Sequence, residues 1–400
     1  MKFHHIRERF IESLLFLSST VTSFTVLLII IFLFKEGAGL FGLTPVEKGS
    51  VLVLNNDNPV KELNAEQVKT LFDQNVTNWK DIGGENDSVI TFRHDDISNY
   101  YSDEELGNDL EFVPAMISEL VGKTKGIIAY IPEKYVDKNF NGRIVPVEKV
   151  TITGFFKNKE WFPTAQPAAQ FGVLSLILGT LWVSIGAILI ALPLGLATAV
   201  YMAEIAGERI RQILKPAIEL LAGIPSVVYG FFGLVVIVPQ IQQIFGLQVG
   251  ETALAGSLIL GIMALPTIIT ISEDALRTTP RSMKEASLAL GANKWQTIYK
   301  VVIPHSISGI TAAAVLGIGR AIGETMAVLM VTGNSAVIPH SFLEPVRTIP
   351  ATIAAELGEA AQDDMHYKAL FTLGCILFFI TMIINLVAEF MTGTKKTFKH

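Results

Sequence analysis

The sequence predicts an all-α polytopic membrane protein with six transmembrane helices, interrupted by a small extracytoplasmic α/β insert. Three observations predict it. Half of the 400 residues are hydrophobic and mean hydropathy is +0.47, too apolar for a soluble chain and too polar for membrane spans alone. Six stretches approach the roughly 20 apolar residues that a hydrocarbon core demands. The net charge of −6 is also unevenly spread: Lys35 to Glu160 holds about 14 basic and about 21 acidic residues, leaving the remainder near +1.

Composition excludes several functions. No basic stripe interleaved with aromatics is present, so nucleic acid is not an expected partner. The one cysteine, Cys375, falls within an apolar stretch and permits neither an intrachain disulfide nor a cysteine metal cluster. No phosphate-cradling G-x-x-x-x-G-K-[ST] occurs, and Gly393-Thr394-Lys395-Lys396 lacks its pattern. The chain is therefore not expected to hydrolyse ATP, to act as an enzyme or to carry a cofactor.

Residues 1–43 are read as a cytoplasmic N-terminus and first span. Ile11 to Phe34 carries no charge but Glu12, and Lys2, Arg7 and Arg9 before it place the N-terminus inside. A signal peptide would need a shorter apolar run and a small-x-small cleavage site. Residues 44–150 change to an α/β composition. Val51–Leu54, Ser88–Thr91 and Gly126–Ile131 have the β-branched content of strands. Asn64–Phe72, with Asn64 as cap, and Glu111–Val121 suit helices. His94-Asp95-Asp96 could suggest a metal, but such neighbours on a loop are ordinarily solvated, and no metal is expected.

Residues 151–400 hold the other five spans. Phe171–Met202 is the second, followed by Arg209, Arg211 and Lys215 on the cytoplasmic side. Ile218–Val238 is the third and contains Gly223-Ile224-Pro225-Ser226, either a packing kink or a backbone opening that lines a path. Gln240–Glu251 lacks Lys and Arg and is placed outside; Thr252–Ile271 is the fourth span.

Residues 282–304 then form a polar stretch between spans. Ala286 to Leu290 favour a short helix, Gly291 can end it at positive φ, and Asn293-Lys294-Trp295 begin a second segment that Pro304 closes. His305 to Val331 is the fifth span. Arg320 and Glu324, four residues apart, are expected on one helix face, and Gly319 and Gly323 make a small-xxx-small pair for close helix approach. A lone Arg at mid-bilayer costs about 2.5–3.5 kcal/mol, so this face should look into a bundle or aqueous path. A structural ion pair and a pathway role both fit. Asn334–Asp364, with Arg347 its one Lys or Arg, is read as an outside loop with an interfacial helix over Ile349–Leu357. Leu370–Val387 is the last span, and Lys395, Lys396 and Lys399 return the chain to the cytoplasm.

Glu285-Ala286-Ser287, Gly291 and Val301-Val302-Ile303-Pro304 together resemble the EAA coupling loop of ABC importer permeases, with Ser287 where that family usually has Ala. Leu221 to Gly230, this loop, and Gly319-Arg320-Ala321-Ile322-Gly323-Glu324-Thr325-Met326 are similar to the PstC-type permease subunits of bacterial phosphate ABC importers. That resemblance covers the first span and about Trp161 onward. It implies a bacterial plasma-membrane protein that moves inorganic phosphate, with a second, PstA-like permease, an ABC ATP-binding subunit dimer, an extracytoplasmic phosphate-binding protein and surrounding membrane lipid as partners. It further implies that Glu285, Ala286, Ser287, Gly291 and Pro304 couple to the ATPase. Arg320, Glu324, Gly319, Gly323, Thr325, Pro225 and Ser226 would line the substrate path.

Within the insert, Asn58-Pro59-Val60, Val76 to Gly84 and Thr124 to Ile131 resemble part of a periplasmic phosphate-binding protein. Where that family has Arg followed by a Ser-Gly-Thr turn, this chain reads Arg93-His94-Asp95-Asp96-Ile97-Ser98-Asn99. Two carboxylates there would repel an anion, so the insert is expected not to bind phosphate and to be either a relic or a docking module. A permease for molybdate or sulfate and a membrane-anchored phosphate sensor are the alternatives; a sensor needs no ATPase socket.

Overall fold

A computed structural model describes residues 2–107 and 111–393. The chain opens with helix α1 (Lys2–Ala38), of which Ile11–Ala38 has the length and apolarity of a span. The chain divides into two compact units, an α/β unit over residues 38–172 with 363–369, and a helical unit over the rest.

The α/β unit is built on β1 (Ser50–Leu54), α2 (Ala65–Phe72), β2 (Ile90–Arg93), α3 (Val113–Lys123), β3 (Ile127–Pro132) and β4 (Arg143–Ile144). The sheet order is β2-β3-β1-β4; β3 runs parallel to β2 and antiparallel to β1, with Val53 opposite Ala129. Period-two alternation sorts the side chains. Leu52 and Leu54 pack with Val68, Leu71 and Trp79, while Val53 joins Phe92, Ile117 and Val121 on the opposite face. Asn64 starts α2 through a capping box, accepting from Gln67 N at 2.8 Å while its own N–H donates to Gln67 Oε1 at 2.9 Å. The unit continues past residue 150 through α4 (Ile152–Lys157), β5 (Trp161–Phe162) and β6 (Gln170–Phe171). Two-residue strands such as β4 to β6 leave no periodicity for a sequence to reveal.

The helical unit contains α5 (Leu174–Val200) with a π turn at Tyr201–Ile205, α6 (Glu208–Ala222), α7 (Ser226–Phe245) and α8 (Ala253–Arg277). It continues with α9 (Arg281–Ala289), α10 (Lys294–His305), α11 (Ile307–Gly323), α12 (Met326–Val331), α13 (Ile349–Glu356) and α14 (Met365–Gly393). Among the described residues five helices can cross a membrane by length and composition, and α10 with α11, bent by 70° at Ser306, makes six. Small residues let α5 and α8 close on each other: a Cβ on Gly186 would stand 2.3 Å from Ser257 Oγ. Ser257 Oγ donates to Val183 O at 3.2 Å across the same contact. Thr372 Oγ1 of α14 donates to Gly37 O of α1 at 2.8 Å.

Two expectations are corrected. The third span does not start at Ile218: α6 stops at Ala222 and α7 begins after Pro225, because proline lacks an N–H and drives the preceding residue out of helical geometry. The fifth span does not run to Val331, because α11 ends at Gly323 and Glu324 is extended at φ −71°, ψ 133°. The α13 helix packs against α5. Its first turn, Ile349 to Thr352, is buried, and Ile349 N donates to Thr180 Oγ1 of α5 at 2.9 Å. Lys395, Lys396 and Lys399 lie outside the described residues.

Gly126 is the tightest backbone contact of the sheet: a Cβ there would meet Ser88 O at 2.0 Å, and its carbonyl accepts from Trp79 Nε1 at 2.8 Å. Gly126→Ala is expected to destabilise the α/β unit by roughly 1–3 kcal/mol. Trp79 fluorescence and limited proteolysis of the full chain check this; an unshifted unfolding transition would show that the strand yields freely.

Candidate functional site

The polar stretch folds as a helix, a tight reversal and a second helix. α9 presents Glu285 and Ala286 to the surface, and Leu290 beyond it is 90% exposed. Gly291 takes φ +86°, the left-handed conformation that reverses the chain. Asn293 then caps α10, accepting from Gln296 N at 2.8 Å. Ser287 and Thr297 share a hydrogen bond of 3.0 Å between α9 and α10, so the Ser in the motif acts as a polar tie. Lys284 pairs with Glu204 at the end of α5. Pro304 is exposed in the last turn of α10, just before the bend. Exposed Leu288, Leu290, Trp295 and Tyr299 leave apolar surface beside Glu285.

The second group gathers at two backbone breaks. A Cβ on Gly230 of α7 would meet Ala327 Cα of α12 at 3.0 Å, and one on Gly233 would meet Val331 Cγ1 at 2.8 Å. The two helices therefore run in the same direction, and their first residues, Ser226 and Met326, lie at the same end. Pro225 and Ser226 precede or open one helix; Glu324 and Thr325 precede the other. Tyr229 Oη donates to Leu221 O at 2.8 Å, which closes the first break. Thr325 Oγ1 donates to Gly323 O at 3.3 Å at the second. Such local side-chain bonds compete with helix continuation and supply partners for the freed backbone.

Arg320 stands in the last turn of α11, half-buried, with Nη1 3.5 Å from Thr267 Oγ1 of α8. The expected Arg320–Glu324 pair on a single helix face is not formed, because the helix ends between them and Glu324 leaves in extended geometry. Among the described residues Arg320 has no carboxylate within 4.0 Å. Cβ atoms built on Gly319 and Gly323 would meet nothing within 4 Å, so the small-residue pair faces open space within this chain. Sequence reading missed Thr267, Glu204 and above all Glu273, a carboxylate 1% exposed whose Oε1 accepts from Arg211 Nε at 2.8 Å. Glu273 lies in the polar last turns of an apolar helix, beside Ser272 and Asp274, and nothing within its own turn marks it out.

In the α/β unit the Arg93 segment is internally occupied. Arg93 N donates to Asp96 Oδ2 at 3.1 Å, its guanidinium lies over the Phe72 ring at 5.5 Å, and Nη2 donates to Gln166 O at 3.4 Å. Glu47 accepts from Gln166 Nε2 at 2.9 Å and from Tyr130 Oη at 3.1 Å, and burial is the main cause that pushes the Tyr130 phenol above its ordinary pKa. His94 Nδ1 contacts Asp95 at 2.7 Å, and among the described residues no three His, Cys, Asp or Glu side chains gather as metal ligands.

Comparison with known proteins concerns the chain as a whole. The family model for the binding-protein-dependent transport system inner membrane component matches residues 191–393. A probable ABC transporter permease protein, YqgH of Bacillus subtilis, is 37% identical over 298 residues, 74% of this chain and 94% of that one. The phosphate transport system permease protein PstC of Mesorhizobium japonicum is 38% identical over 59% of this chain and 77% of its own length. Among solved structures, an ABC-type phosphate transport receptor from Vibrio cholerae matches at 25% identity over 27% of this chain and 50% of that chain, with a TM-score of 0.20. With its match running from within α5 to the end of α14 and its relatives covered over most of their length, the chain belongs to the inner membrane components of binding-protein-dependent transport systems, the multi-pass permease subunits of ABC transporters.

Proposed function

We propose that this chain is a transmembrane permease subunit of an ATP-driven phosphate importer, forming part of the phosphate path and coupling to a separate ATP-binding subunit. The observation that carries the reading is Arg320, a cation in a membrane-spanning helix whose hydrogen-bond partner among the described residues is the Thr267 hydroxyl. Such a charge is costly in lipid and needs an anionic partner or water. A planar guanidinium can give a tetrahedral oxyanion two charge-assisted hydrogen bonds. Glu324, one residue beyond the helix end, weakens capture by repulsion, so that the anion can leave. The relative named as a phosphate permease supports phosphate as that oxyanion.

The same reading assigns the rest. Gly319 and Gly323, open in this chain, suit close approach by a second, PstA-like permease. Pro225, Ser226 and Thr325 stand at the two backbone breaks and line the path beside Arg320. Glu285, Ala286, Ser287, Gly291 and Pro304 form the socket element for an ABC ATP-binding dimer. α1, whose apolar window is unburied, faces lipid. Both termini are cytoplasmic and residues 44–150 are outside, where the insert contacts a phosphate-binding protein. The Asp96 carboxylate on Arg93 N and the stacked Arg93 guanidinium favour docking over phosphate binding there.

Phosphate uptake and ATP hydrolysis in vesicles holding the whole complex test these assignments. Arg320→Ala is expected to lower uptake by about a hundredfold and Arg320→Lys by about tenfold, with assembly unchanged, since lysine keeps the charge and loses the fork. Wild-type uptake by an assembled Arg320→Ala complex would remove Arg320 from the path, and equal transport of sulfate or molybdate would replace phosphate. Gly291→Val forces a β-branched residue to φ +86° and should abolish most uptake while ATP hydrolysis continues. Uptake at the wild-type rate in that variant would refute the coupling role. Arg93→Ala is expected to leave the KM for phosphate within about twofold; a large rise would show that the insert binds phosphate.

A further inference from the structure

Glu273 lies near the end of α8 with its side chain 1% exposed. Arg211 Nε donates to Oε1 at 2.8 Å, Arg277 Nη1 stands 3.6 Å from the same oxygen, and Lys215 Nζ stands 3.9 Å from Oε2. A carboxylate at that depth persists only when paired and hydrogen-bonded. Two of its three cations come from a different helix, α6. The apolar hold on α6 is narrow: Ile218 and Leu214 pack with Met202, Ile269 and Leu265, while Ile213 and Leu220 are 71% and 75% exposed. The ion pair is thus a principal reason for α6 to follow α8.

Each end of this link leads to one of the two residue groups described above. α8 passes through Thr278 to Pro280 into α9, and α9 is fixed by Lys284 to Glu204 and by Ser287 to Thr297. Ser306, at the bend after α10, donates to Ala275 O of α8 at 2.9 Å. The end of α8 and the coupling helix therefore form one piece. On the other side, α6 runs directly into Gly223 to Pro225, where Tyr229 holds Leu221 O, and then into α7, whose start shares an end with that of α12.

We propose that Glu273 is a positioning residue for transport: its grip on Arg211 makes α6 move with α8 and the coupling helix, so that movement imposed on Arg281–Ala289 reaches the backbone break at Gly223–Pro225. The inference rests on the importer reading. Glu273→Gln keeps the shape and removes the charge. In the complete complex in vesicles, phosphate moved per ATP hydrolysed is expected to fall about tenfold, within the range for residues along a coupling route, while ATP hydrolysis stays within about twofold. A merely structural role would lower both rates together and preserve their ratio. If Glu273→Gln fails to accumulate, Arg211→Gln, a substitution at the less buried partner, carries the same expectation. An unchanged ratio overturns the proposal.

A wild-type complex that moves no phosphate would refute the importer reading alone. The link is then decided by spin labels on Ile213→Cys and Thr278→Cys in a Cys375→Ser background, both sites being exposed. Their separation is expected to stay fixed through the ATP cycle when Glu273 is present, and to vary with nucleotide in Glu273→Gln. Equal steadiness in both proteins overturns the proposal.

Discussion

A backbone that leaves helical geometry inside lipid must satisfy its hydrogen bonds from nearby protein, and the helical unit depends on how it meets that demand. At Gly223–Pro225 the carbonyl of Leu221 accepts from Ile224 N at 3.3 Å and from the Tyr229 phenol at 2.8 Å. At Glu324–Thr325, Glu324 N reaches Ala321 O at 3.4 Å and Leu329 N reaches Thr325 O at 3.0 Å, so the chain is bonded on both sides of the break. Both breaks are held by packing between α7 and α12, where Gly230 lets the backbones meet. The starts of α7 and α12 thus come to the same end of their packed pair, an arrangement that helical continuity would have destroyed.

Charges are handled by a second rule, that depth demands partners. Glu273 is nearly sealed from solvent and draws on Arg211, Lys215 and Arg277; Arg347, 18% exposed, pairs with Glu356 at 2.8 Å. Among the described residues Arg320 departs from that rule, since its hydrogen-bond partner is the Thr267 hydroxyl. The contrast is physically informative. Structural charges in this protein come with counter-charges, whereas the cation at the backbone break is left to a neutral neighbour.

The α/β unit obeys the ordinary logic of a sheet buried on both faces, with Leu52 and Leu54 on one side and Val53 on the other. Its Arg93 turn is bonded within the unit. The Asp96 side chain takes the N–H that an anion would use, and the Phe72 ring takes the guanidinium face.

Much of this was legible locally. Apolar runs of bilayer length fixed most spans, and a glycine after a short helix announced the reversal at Gly291, since few other residues tolerate positive φ. Asn64 and its partner Gln67 announced the start of α2 through bonds three residues apart. The sequence by itself thus determined what depends on neighbours within a turn or so. Tertiary structure decided the remainder. Whether His305 to Val331 stays one helix depends on packing from other elements, and α7, which meets α12 through Gly230, lies far away in sequence. The spacing of Arg320 and Glu324 therefore suggested a pair that the helix end abolished. Glu273 looked unremarkable because its main partner, Arg211, is 62 residues away, and long-range ion pairs leave no periodic trace. The physical reason is common to both: periodicity records the geometry of one element, whereas a buried charge or a broken helix is stable only through groups that other elements supply.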